Sequence, residues 1–258
     1  MQPLYLDAEQ TLRVELDGPS LLVHSERSAP RRFPFHRLSR VVVCGPVELQ
    51  TAALVECLRR GIAVTFLAAD GTPAGAALPA TLRPSRLEER IEEFLARPDW
   101  RELYDNWRRA AERREILGAL RRLRARTRDL RPGSVGLLLD EELDARCGRE
   151  RRKQALSWLE GLAASLVSER LAETGLAPEA AAGRRPDFHL ATELARLLLW
   201  GLRAELAAAL AAGTLRPAET ERQWRRQLAA WFEERRGRES HRTGRLLDGF
   251  CYWLGGVR

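Results

Sequence analysis

His189 and Glu193 lie four residues apart in a stretch with helical periodicity, so one helix face would carry both. An imidazole and a carboxylate in that arrangement could share a metal ion. The same stretch also fits a plainer role. Leu190, Leu194, Leu197, Leu198 and Gly201 form an apolar stripe, and His189, Glu193, Arg196 and Arg203 cluster opposite it within roughly an 80° arc. A second group is basic. Arg108, Arg109, Arg113, Arg114, Arg121, Arg122, Arg124, Arg126 and Arg128 load one long helical stretch. They read either as a phosphate-tracking surface or as a solvated face paired with Glu112, Glu115 and Asp129. Trp100, Tyr104 and Trp107 follow i, i+4, i+7 spacing, which favours a core stripe over base stacking. Cys44, Cys57, Cys147 and Cys251 form no CxxC pair, and His24, His36 and His241 stand alone, so structural roles are expected for all of them.

Composition narrows the field. The 258-residue chain is 45% hydrophobic and can support a core, and its net charge is +7. Of its 43 basic residues all but Lys153 are arginine, whose planar fork suits phosphate. A surplus of this kind attracts polyanions. No apolar run reaches the length of a membrane helix, and MQPLYLDAEQ has neither the basic nor the apolar region of a signal peptide. A soluble cytoplasmic protein without membrane contact is expected.

The elements that must position these residues fall into two regions, giving an α+β chain with a small, mostly-β N-terminal domain (1–80) before a larger all-α domain (85–258). β-rich runs at 4–7, 11–16, 20–24, 31–35, 40–44 and 63–67 are punctuated by Gly18-Pro19, Gly45-Pro46 and Asp70-Gly71. One helix fits Leu49 to Arg60, capped by Gly61. After a Pro-containing linker, amphipathic stretches are predicted at 85–97, 99–128, 134–146, 150–174, 187–212, 217–236 and 239–254. Ser85 with Glu88 and Asp99 with Glu102 read as capping boxes. Gly175, Gly213 and Gly237 read as stops, and Pro217 as a first-turn residue.

Local sequence adds a resemblance. The run Phe33-Pro34-Phe35-His36-Arg37-Leu38-Ser39-Arg40-Val41-Val42-Val43-Cys44-Gly45-Pro46-Val47 leads into a helix, and Cys57-Leu58-Arg59-Arg60-Gly61-Ile62-Ala63-Val64-Thr65-Phe66-Leu67 follows. Across residues 4–75 this resembles the universal CRISPR spacer-acquisition endonuclease/integrase family. Gly175-Leu176-Ala177-Pro178, Ala155-Leu156-Ser157-Trp158 and Leu190-Ala191-Thr192-Glu193-Leu194 resemble segments of its helical half. The resemblance implies a dimer through the β domain. It also implies work on double-stranded DNA (prespacer and CRISPR repeat) beside a small ferredoxin-like adaptation subunit.

It further implies a divalent metal, Mg2+ or Mn2+, held by a Glu, a His and an Asp. Such an ion offsets charge on the phosphoryl oxygens and orients the attacking hydroxyl. Aligning Ala145-Arg146 places Glu141 at the family's Glu position, although Glu142, Leu143 and Asp144 replace its small residues. The family's loop His has no counterpart in Glu179 to Arg185, and the nearest is His189. A gapped alignment places Glu193 where the family has Asp, while one anchored on Pro186 places Ala191 there. Arg184 and Arg185, in that shortened loop, are further phosphate-contact candidates. The resemblance is to a shortened member of that family with a divergent active site.

Three functions follow. The first is a DNA-binding subunit of a spacer-integration complex, catalytically impaired and paired with an active paralogue. The second is an active metal-dependent endonuclease/integrase using Glu141, His189 and Glu193; the expected dimer is a homodimer or a heterodimer with an active paralogue. The third, a basic helical protein binding RNA or another protein, fits the N-terminal resemblance poorly.

Overall fold

The structure is a computed structural model and describes residues 1–7, 12–26, 28–79, 86–174, 176 and 187–257. Eight strands come first: β1 (Gln2–Asp7), β2 (Leu12–Asp17), β3 (Ser20–Ser25), β4 (Ser28–Pro34), β5 (Leu38–Cys44), β6 (Val47–Leu49), β7 (Ala63–Leu67) and β8 (Pro73–Ala77). Helix α1 (Thr51–Arg59) lies between β6 and β7. The strands form two four-stranded sheets, ordered β1-β5-β7-β8 and β4-β3-β2-β6. In the first, β1, β5 and β7 run parallel and β8 returns antiparallel. Among the described residues six helices follow: α2 (Arg86–Leu95), α3 (Trp100–Leu123), α4 (Pro132–Cys147), α5 (Arg149–Glu173), α6 (Leu190–Ala211) and α7 (Glu221–Gly256). The α+β reading of the sequence therefore holds.

Strand β5 joins the two regions. Its β-branched run suits a pleated strand buried on both faces. Side chains alternate, so Val41 and Val43 face the β-domain core with Leu4, Leu6 and Val64. Val42 and Cys44 face the other way, into the large helical core with Trp158, Leu162 and Phe232. Arg40 shares that second face and is 0% exposed. A buried guanidinium must be answered. Glu169 of α5 (3.1 Å), Glu233 of α7 (2.5 Å) and the Tyr5 hydroxyl of β1 answer it, and Tyr5 itself donates to Glu233. Arg236 of α7 also reaches Glu169. Burial works against the charge of Arg40, but Tyr5, Glu233 and Glu169 outweigh it and hold the group protonated. Burial likewise pushes the Tyr5 hydroxyl far up.

Close backbone approach supplies a second tie. Gly71, in the β7–β8 turn at φ +93°, lies against the Trp158 ring of α5. A Cβ on Gly161 would clash with the Gly71 carbonyl. Helix α5 packs against α4, α6, α7, β7 and β8. The Trp100, Tyr104 and Trp107 stripe is core: Tyr104 and Trp107 stack at 5.6 Å, and Phe188, Phe250 and Trp253 complete the cluster.

Several expected boundaries move. α3 stops at Leu123, not 128, because Arg124 turns left-handed at φ 53°, a conformation costing an L-residue roughly 1–2 kcal/mol. The two helices expected at 217–236 and 239–254 are one. Gly237 does not break α7, because beyond it Glu239, Arg242 and Thr243 are anchored in the interior. Arg242 pairs with Glu115 of α3 and packs over Gly201 of α6, where a Cβ would clash. Burial, then Glu205, pushes the Glu239 carboxyl up. α7 starts at Glu221 after an N-cap from Thr220, so Pro217 lies outside its first turn. Asp99 caps α3 by position without a side-chain bond and pairs with Arg97 instead. Ser85 and Gly175 lie outside the described residues. Strand β8, absent from the sequence reading, exists through its pairing with β7.

Removing one partner of a buried ion pair costs about 3–5 kcal/mol. Arg40→Leu, leaving Glu233 facing an apolar side chain, is expected to lower unfolding free energy in urea by that amount. A loss below about 1 kcal/mol would show that the Arg40 cluster does not hold the two regions together.

Candidate functional site

Helix α3 sorts its charges. Glu112 turns inward to the Trp200 indole N–H (3.3 Å) and Arg196 (3.8 Å), and Glu115 turns to Arg242. These acids answer partners on α6 and α7, so they are not available to the outer arginines. Arg109, Arg113, Arg114 and Arg121 are exposed on the outer side, and Arg124, Arg126 and Arg128 continue past the helix end. Among the described residues, Arg113, Arg114, Arg121, Arg124, Arg126 and Arg128 have no carboxylate partner. Asp129, expected to neutralise some of them, is taken by Arg131 (2.6 Å) and Ser134 (2.7 Å). These contacts hold the Asp129 carboxyl far below the usual range. Arg109 bonds within its own helix, to the Asp105 carbonyl and Asn106. Arg108 is engaged differently, with Asp105 (2.9 Å) and Glu193 (3.5 Å). Arg184 and Arg185 lie outside the described residues.

The candidate metal ligands are dispersed. Glu141 lies on α4, whose buried stripe is Val135, Leu139 and Leu143. At about 100° per residue Glu141 points away from that stripe, beside Leu137, which is 65% exposed. His189 is the exposed N-cap of α6, and its carbonyl accepts from the Glu193 N–H at 3.0 Å. Glu193, in the first turn, is held by Arg196 (2.9 Å) and Arg108 (3.5 Å). Among the described residues no group of three or more His, Cys, Asp or Glu side chains could hold a metal ion. The described residues therefore do not fit a hard divalent cation, which takes six or so oxygen ligands. Thiol chemistry is also disfavoured. The cysteines are free, and burial holds the Cys44 and Cys57 thiols up at about 11.

A cluster that the sequence reading missed sits one residue from Glu141. Asp140 pairs with Arg152 (2.5 Å) and Arg203, and Asp144 pairs with Arg152 (2.7 Å). The i, i+4 spacing of Asp140 and Asp144, beside the buried stripe, was the available signal. Arg203 also donates to the Gly136 carbonyl and lies over Trp200. It borders a groove of about 420 Å3 between α3, α4, α5 and α6, lined in part by Glu112, Glu160, Arg196 and Trp200. No described helix is long and apolar enough to cross a membrane.

Comparison with known proteins sets this geometry in a family. No curated protein matches the sequence. Among solved structures, a Cas1 protein from Thermotoga maritima is similar in fold, with TM-score 0.74 at 15% identity over 95% of this chain and 96% of that one. TtCas1 in complex with DNA gives 0.55 at 17% identity, over 96% and 91%. A Cas6-RT-Cas1–Cas2 complex gives 0.59 at 14% identity, over 95% of this chain and 34% of that one. The family model for CRISPR associated protein Cas1 matches residues 4–167. That span is more than half of the sequence, so the chain belongs to the CRISPR associated protein Cas1 family and has its role in CRISPR adaptation.

Proposed function

We propose that this chain is the DNA-holding subunit of a spacer-integration complex and that it is catalytically impaired, with chemistry supplied by an active paralogue. The observation that carries this is the sorted charge of α3 and its continuation, with acids committed inward and a row of uncommitted arginines outward. Such a row meets phosphates and releases counterions without reading sequence. Impairment is supported by Glu193, which two guanidiniums engage, and by Glu141 facing away from the core. The DNA partner would be prespacer and repeat duplex. The protein partner would be a small ferredoxin-like subunit of the Cas2 kind, by analogy with the complexes similar in fold.

The dimer is assigned to residues 1–80, and the larger DNA surface to 85–258. Open strand edges at β4 and β8 support the first assignment. Pro30 and Pro34 remove ladder donors from β4, so that edge would pair through side chains rather than a continued ladder. A second reading, an active Mg2+- or Mn2+-dependent endonuclease/integrase, rests on one observation. Glu141 is exposed and, among the described residues, has no ion-pair partner.

Three outcomes follow. Replacing Arg109, Arg113 and Arg121 by Gln should reduce the salt slope of duplex binding by about 2.7, at about 0.9 per phosphate contact. An unchanged slope would remove α3 from the interface. The isolated protein should dimerise at micromolar concentration through its N-terminal region, alone or with its paralogue, and a monomer by light scattering in both settings would refute the assignment. Incubated alone with manganese and prespacer DNA, the chain should join few or no ends, and Glu141→Ala should leave the activity of the full complex nearly intact. Integration by the isolated chain that Glu141→Ala abolishes would establish the active reading instead.

A further inference from the structure

Glu193 sits in the first turn of α6, inside an alternating row of charges that runs between α3 and α6. Asp105 pairs with Arg108 at 2.9 Å and Arg108 with Glu193 at 3.5 Å. Glu193 pairs with Arg196 at 2.9 Å, and Arg196 with Glu112 at 3.8 Å. Helical phase explains the row. Positions 105, 108 and 112 lie at i, i+3 and i+7 on α3, and 193 and 196 at i, i+3 on α6, so each helix contributes one stripe. The two helices pack directly against each other. In this row both links that cross from helix to helix run through a guanidinium.

A divalent cation at Glu193 would meet positive charge from three sources. Arg108 and Arg196 already engage the carboxylate, and the N-terminal end of the α6 dipole lies beside it. Tyr104, one turn before Arg108 on α3, is 4% exposed. Burial first and Glu193 next push its hydroxyl far up, so it stays protonated, the poorer form for a hard cation. The arginines also match such an ion in amount. Two guanidiniums carry the same double charge, and a guanidinium keeps its charge across the working pH range.

We infer that Arg108 and Arg196 stand in the place of a divalent cation at Glu193: together they supply its double charge, tie α3 to α6 through the carboxylate and exclude metal from it. The inference deepens the impaired reading above and rests on it, since it names what replaces the metal on this chain. A guanidinium reproduces the charge of the ion but not its chemistry. It has no open coordination position on which to hold and orient an attacking hydroxyl. The exchange therefore keeps the charge balance between the two helices and gives up phosphoryl transfer at this carboxylate.

The experiment follows the thermal midpoint of the full chain by circular dichroism, in chelator and in millimolar manganese at fixed ionic strength. The wild-type midpoint should agree between the two within about 1 °C. Glu193→Gln leaves two guanidiniums short of a partner, so its midpoint in chelator should fall by about 2–4 °C. At a carboxylate site built for metal the same substitution would raise the midpoint in chelator, because it removes one charge from among repelling acids. The combined Arg108→Gln, Arg196→Gln variant should have a lower midpoint in chelator and gain about 2 °C or more from manganese, a gain that adding Glu193→Gln removes. Should that variant not fold, the Glu193→Gln midpoints decide alone. Glu193→Gln more stable than wild type in chelator, or a folded double variant indifferent to manganese, would overturn the replacement. So would a wild-type gain of about 2 °C or more from manganese that Glu193→Gln abolishes. Impairment is judged separately, by joining of DNA ends with the isolated chain. Manganese stabilisation through Glu193 without end joining would overturn the replacement and leave impairment standing, whereas end joining that Glu141→Ala abolishes would overturn impairment and the replacement with it.

Discussion

A guanidinium buried beneath a β-sheet governs this architecture. Arg40 sits on the helix-facing side of β5 and is fully enclosed, so its charge must be matched from the helical region. Glu169 and Glu233 come from α5 and α7, whose positions are thereby fixed relative to β1 and β5. An apolar residue there would pack against the same core without demanding a particular register. The ion cluster demands one, because each carboxylate must reach its own nitrogen. Everything built on α5, including the packing of α4 and α6, inherits that orientation.

A second consequence concerns the charges left over. Ion pairs inside the helical region commit several of its acids: Glu115 and Glu239 with Arg242, Glu205 with Arg122 and Arg238, Asp140 and Asp144 with Arg152. The arginines in these pairs work for the fold. Arg113, Arg114, Arg121, Arg124, Arg126 and Arg128 lie outside such pairs among the described residues and give α3 and the segment after it a positive face. A net charge of +7 is thus a poor guide to the strength of that face, which owes its character to where the acids went.

The sequence told the fold and the site unequally. The Val41-Val42-Val43 run marked β5 plainly, since a β-branched stretch bounded by turns has few other uses. Strand β8 could not be read that way: Pro73-Ala74-Gly75-Ala76-Ala77 has no strand preference and takes its form from β7. Nor could Gly237 be known to sit inside α7, because the anchors beyond it are set by α3 and α6. For the site, helical arithmetic placed His189 and Glu193 on one face, and the resemblance placed Glu141. Neither could show that Arg108, 85 positions before Glu193 in sequence, would come within 3.5 Å of it. The inward turn of Glu112 and Glu115 was closer to legible, since their phase on α3 differs from that of Arg113 and Arg121.

In this account arginines grip DNA, and no metal ion held by this chain takes part. The most direct measurement is the affinity for prespacer duplex at fixed ionic strength, with chelator and then with added manganese. Divalent ions compete with arginines for phosphate, so binding should be tightest in chelator and should weaken or stay level as manganese is added. A tenfold or greater gain with manganese, removed by Glu141→Ala, would mean that a metal centre on this chain takes part in holding DNA, and would contradict the account.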